Sequence, residues 1–137
     1  MADITVTAAN VLTASGATIK RHTSGAAITA GQLIYKDLTA SNVVKLADAD
    51  LSDAAAVVEG IAINDCASGQ EVDVCTAGNI NPGGTVVVGE FYVLSGTAGG
   101  IAPVGDFATG DRASFFGVGT TTSNIILRIF NSGVTRA

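Results

Sequence analysis

Apolar residues recur at every second position in short runs along this chain, and the spacing of three and four that marks a helix is almost absent. Period two sends alternate side chains to opposite faces of an extended strand, so the pattern predicts an all-β protein. The chain opens with short alternating pieces, Ile4-Thr5-Val6-Thr7 and Ala17-Thr18-Ile19-Lys20. They have strand propensity but few large side chains, which predicts that residues 1–30 form an extended N-terminal arm adding to a sheet edge, its own or a neighbour's. Residues 32–36 and 43–46 predict a hairpin about Thr39-Ala40-Ser41-Asn42. In the next strand Val57, Ile61 and Ile63 share a face with Glu59; in residues 70–76, Val72 and Val74 face in while Glu71, Asp73 and Cys75 face out. Only the Asp- and Ala-rich stretch 48–56 has the makings of a helical turn, capped by Asp50 or Ser52.

The strongest turn signal, residues 79–84 with Asn81-Pro82-Gly83-Gly84, marks a joint. Beyond it the plan recurs with larger residues. Val86-Val87-Val88 leads in, residues 90–94 pair with 100–103, and 114–119 precede a strand whose inner face is Ile125, Leu127 and Ile129. Matching pairs keep nearly constant spacing: Gly31 and Gly89 lie 58 apart, Asp50 and Asp106 56, Gly60 and Gly117 57, Gly78 and Gly133 55. Drift that small predicts two similar units, 31–78 and 89–133. Neither half has enough large side chains for a core of its own, so residues 31–137 read as a single β domain, an antiparallel β-barrel or sandwich. In this alignment Asp73 and Arg128 hold equivalent outward positions with opposite charge, and they are expected to meet across a subunit contact.

Composition narrows the choice of partner. Charged residues make up 14% of the 137, against a usual quarter, so much of the surface is uncharged and calls for cover by other subunits or a partner. The net charge of −5, with no basic run longer than Lys20-Arg21, speaks against nucleic acid. No run approaches the length of a membrane span, and the first residues lack a signal peptide's basic and apolar regions, so no membrane partner and no export are expected. Cys66 and Cys75 flank a hairpin, with Cys75 expected opposite Gly60 and roughly 20 Å along the strands from Cys66, too far for a disulfide.

Candidate chemistry is sparse. His22 is the sole histidine, so every His-dependent catalytic arrangement would rest on a residue in the polar Lys20-Arg21-His22-Thr23 tract. Two cysteines and one distant histidine do not make a zinc quartet. Asp48, Asp50 and Asp53 form the best carboxylate cluster, but without the glycine and distal glutamate of a calcium loop. Gly96-Thr97-Ala98-Gly99-Gly100 lacks the Lys-Ser/Thr of a phosphate loop and reads as a turn. No catalytic residue, cofactor site or metal site is assigned, and no enzymatic activity is expected.

The second unit carries a likeness. Tyr92-Val93-Leu94-Ser95-Gly96-Thr97-Ala98-Gly99-Gly100-Ile101-Ala102-Pro103, then Asp106-Phe107-Ala108-Thr109-Gly110-Asp111, then Phe116-Gly117-Val118-Gly119-Thr120 and the closing strand to Ser132-Gly133-Val134 resemble small capsid decoration, or cement, proteins of tailed bacteriophages. The likeness covers the last half of the chain and, more loosely, residues 60–78. It implies a β-rich homotrimer on the outer surface of the phage head, whose partner is the major capsid protein and which clamps neighbouring capsid subunits against internal DNA pressure. A fibre, spike or receptor-binding module, using loop 95–100, is the alternative. For contacts between subunits or with a capsid, strand phase and position point to Lys20 and Arg21 in the arm and to Tyr35, Phe116 and Arg128 on the body. Of the pair Phe115-Phe116, one ring is expected in the core and the other at an interface.

Overall fold

β-Branched and aromatic runs become ten strands in the computed structural model, which describes residues 3–137. Met1 and Ala2, the start of the expected arm, lie outside the described residues. In chain order the strands are β1 (Val11–Thr13), β2 (Thr18–Thr23), β3 (Leu33–Asp37), β4 (Val43–Leu46), β5 (Gly60–Ala62), β6 (Glu71–Pro82), β7 (Phe91–Leu94), β8 (Ile101–Pro103), β9 (Arg112–Gly119) and β10 (Ile125–Thr135). Among the described residues, helix is confined to 3-10 turns at Ala8–Asn10 and Val104–Asp106. The protein is all-β, as the period predicted. Its antiparallel sheet, in the order β4-β3-β5-β6-β10-β9-β7-β8, curls into a half-barrel, with β1 and β2 added along β6.

Strand β6 is the hub. Over its length it pairs with β2 (Thr18 to Thr23 against Ala77 to Glu71), with β5 (Ile61 opposite Cys75), with β10 (Ile125 opposite Ile80) and with β1 (Val11 opposite Pro82). The exchange of partners happens at Gly78, which has φ of 92°. A side chain there would collide with the backbone of Gly16, where the turn between β1 and β2 crosses over, so only glycine fits both the conformation and the space. The expected joint at residues 79–84 is correspondingly shorter. Asn79, Ile80 and Asn81 continue the strand, and the chain turns only after Pro82.

Of the two sheet edges expected to receive them, the described residues before Gly31 run along the chain's own. They add β1 and β2 to the chain's own sheet, and Ile28 and Ala30 are buried at 2% and 4% exposure. Further upstream, the Ile4 amide donates to the Ile101 carbonyl at 2.9 Å, covering the edge of β8, and the Thr7 amide donates to Gly83 at 2.8 Å. Covered edges deny a neighbouring molecule a template for strand pairing.

Strands β3, β5 and β6 are buried on both faces because the curl makes two cores. Leu33, Ile61 and Cys75 point to the larger one, with Ile80, Tyr92, Leu94, Ile101, Phe116, Ile125 and Leu127. Ile34, Ala62, Val72 and Val74 point to the smaller one, with Ile28 and Val44. The smaller core lies within β2, β6, β5, β3 and β4. Five strands cannot close with every pair antiparallel, and β4 returns to β2 through a parallel bridge, Ser24 to Val44. This overturns the outward placement of Cys75. Alternation about one core makes every second residue of β6 an outer one, whereas here the outer face meets a second core.

Other expectations shift locally. Cys75 lies opposite Ile61, not Gly60. Strand β5 begins only at Gly60, which leaves Val57 51% exposed. Residues 48–56 form turns, not a helix, with the Ser52 hydroxyl accepting the Ala55 amide at 3.1 Å in the capping role expected of it. Both cysteines are free thiols, Cys66 against the smaller core and Cys75 in the larger.

Outward from the seam between β6 and β10 the strand order reads the same in each direction: β5, β3, β4 on one side and β9, β7, β8 on the other. Ile34 stands opposite Gly60, and Tyr92 stands opposite Gly117.

Candidate functional site

The second half of the sheet presents an apolar outer face. Phe91 of β7 lies opposite Val118 of β9, and Phe115 of β9 lies opposite Phe130 of β10. The rings of Phe91 and Phe115 meet edge to face, with centroids 6.5 Å apart and planes at 80°. Phe91 is 52% exposed and Phe130 62%. Together with Gly117 and Arg128 these residues line a groove of about 310 Å³.

Two bulges build this face. Between Tyr92 and Val93 the pairing of β7 skips Phe116, and between Leu127 and Phe130 β10 carries an extra residue. An extra residue bends the strand and re-aims its side chains. Consecutive phenylalanines part as neighbours in a strand do, the unpaired Phe116 into the larger core at 0% exposure and Phe115 onto the outer face. The division expected of the pair is present, but Phe116 is the core member, so it is no contact residue.

The remaining site candidates scatter. Arg128 is exposed at the rim of the groove and forms no ion pair with the described residues. Lys20 and Arg21 lie on β2 against Val74 and Asp73 of β6, and Tyr35 lies on β3, half-buried against the larger core. Arg21 is engaged at home. Its Nε donates to Asp73 Oδ1 at 2.9 Å and its Nη1 to Glu71 Oε2 at 3.3 Å. The guanidinium in turn holds the Asp73 carboxyl below its ordinary value. Asp73 is therefore already paired within the chain. Strand register also sets Cys75 and Ile126 as equivalents, through Ile61 and Val118, so Arg128 does not match Asp73.

Phe91 and Phe130 were not among the sequence candidates. Phe91 falls at the start of a run that reads as core, while Phe130 keeps the outer phase that Ile125, Leu127 and Ile129 leave to it. The one available signal was the doublet of phenylalanines, which two adjacent positions of a flat strand cannot both bury on one side.

Elsewhere the polar groups serve the fold. Arg112 Nε donates to Asp53 Oδ1, Lys45 Nζ to Asp37 Oδ2 at 2.9 Å, and the Asn131 side chain exchanges hydrogen bonds with the Val58 backbone. Burial, followed by a hydrogen bond with the Asp50 side chain, raises the Asp48 carboxyl above its ordinary value. The nearest acid to His22 Nε2 is Glu59 at 3.8 Å; burial pushes the imidazole below its ordinary value, against the pull of that carboxylate. Among the described residues no group of three or more His, Cys, Asp or Glu is placed to hold a metal ion. Loop 95–100 is tied to the body, since the Gly99 amide donates to Ala47 at 2.7 Å and the Ala49 amide to Ser95 at 3.1 Å.

No protein-family model matches the chain, and no curated protein matches it.

Proposed function

We propose that the chain is a structural virion protein, a capsid decoration or cement protein that binds the outer surface of a tailed-phage head as a homotrimer and clamps neighbouring major capsid subunits. The observation that carries this reading is the surface. Ten large apolar side chains stand exposed among the described residues, from Leu12 and Ile19 at one end to Phe130 and Val134 at the other. Only 14% of the chain is charged to offset them. A spread-out, weakly charged surface suits a clamp, which needs broad contact instead of a reacting centre. Repetition over a lattice then makes modest contacts tight. The resemblance of residues 92–134 to cement proteins points the same way.

Cosedimentation tests it. Purified protein mixed with heads of the encoding phage from which it has been stripped is expected to bind at a fixed ratio to the major capsid protein and to raise the temperature at which the heads release DNA. Binding to host cells with none to heads would overturn the reading in favour of a fibre or receptor module.

A further inference from the structure

Equivalent rows of the two halves meet different fates. In the first half Leu33, Ile61 and Cys75 form a row across β3, β5 and β6, each at 0% exposure, because the second half folds over them. By strand order and register the matching row in the second half is Phe91, Val118 and Ile126 across β7, β9 and β10. That row faces outward, with Phe91 52% exposed and Val118 and Ile126 half-buried. The opposite side of those first-half strands is filled in turn by Ile28, Val44, Val72 and Val74.

We propose that a second copy of this chain covers this row, so that the outer face of β7, β9 and β10 is the contact between copies. The area supports it. With phenylalanine side chains of about 200 Å², the exposed parts of Phe91 and Phe130 alone would bury about 230 Å² on each copy, more than a quarter of the roughly 800 Å² a side that stable interfaces reach. Composition supports it too, because interface centres are enriched in aromatic residues and arginine and depleted in other charges, which describes three phenylalanines beside Arg128. Charge fits the rim. Arg128 forms no ion pair with the described residues, and a second copy with net charge −5 brings a surplus of carboxylates to it.

The proposal deepens the reading as a homotrimeric decoration protein, resting on it only for the expectation of self-association, and it is tested in solution without any capsid. Light scattering across the micromolar range is expected to find an oligomer for the natural chain and a folded monomer for the double variant Phe91→Ser, Phe130→Ser, with self-association weakened about a hundredfold or more. The double variant Leu38→Ser, Leu51→Ser removes two side chains that are 76% and 67% exposed elsewhere, and it is expected to keep the natural mass. A monomeric natural chain, an oligomeric Phe91/Phe130 variant or an equal loss in the Leu38/Leu51 variant would overturn the proposal. Head binding separates the two ideas: a monomer that binds heads sinks this inference alone, and an oligomer through this face that ignores heads sinks the decoration reading alone.

Discussion

Asp48 sits where burial makes its charge unwelcome, and Asp50 beside it adds to the effect. A carboxyl whose folded value is raised favours the neutral form. Its contribution to stability is present below the unfolded value of about 3.9 and is lost as pH rises through the folded value. Asn in its place keeps an oxygen for the Asp50 amide, which donates to Asp48 Oδ1 at 3.2 Å, and discards the charge. Asp48→Asn is therefore expected to raise the thermal midpoint at about pH 7 and to change it little at about pH 3. A lower midpoint at neutral pH would show that the ionised carboxylate has a use in the fold.

At the scale of strands, the approach of neighbours is set by glycine. A Cβ at Gly60 would strike the Cys75 carbonyl of β6, and one at Gly117 the Ile126 carbonyl of β10. Gly60→Ala and Gly117→Ala are each expected to cost about 1–3 kcal/mol, read as a fall in the denaturant midpoint. A neutral result at either position would mean that the ladder can widen there. These two glycines also mark the limit of what the sequence discloses. Hairpins β3–β4 and β7–β8 and the inner face of Ile125 and Leu127 were legible from alternation and turn residues. The burial of Cys75 was not, nor was which of Phe115 and Phe116 is the core member. Alternation reports two faces of a strand, but it cannot tell that both are covered, and it loses count at a bulge. The candidate surface was legible in Arg128 and in the doublet Phe115-Phe116, but not in Phe91 and Phe130 as members of one groove.

For the molecule as a whole, the N-terminal residues decide whether there is a core to speak of. Ile28 fills the smaller core, and β2 walls it. Deleting residues 1–30 is expected to yield an unfolded or aggregating chain and not a trimmed but soluble body, as far-ultraviolet circular dichroism and the soluble yield would show. A folded truncated protein would restore the idea of a detachable arm.

The many partners of β6 also bear on how the chain reaches its structure. Arg21 pairs with Asp73 across 52 residues of sequence, and Ile80 waits for Ile125, 45 residues further on. Contacts this distant along the chain close slowly, so folding on a scale of about milliseconds to seconds is expected, with no early local nucleus. On the ribosome, β6 emerges long before β10, and its pairing edge beyond Gly78 stays vacant until the last strand appears. Completion of the fold therefore waits for β10 to emerge, when its pairing with β6 can close the larger core.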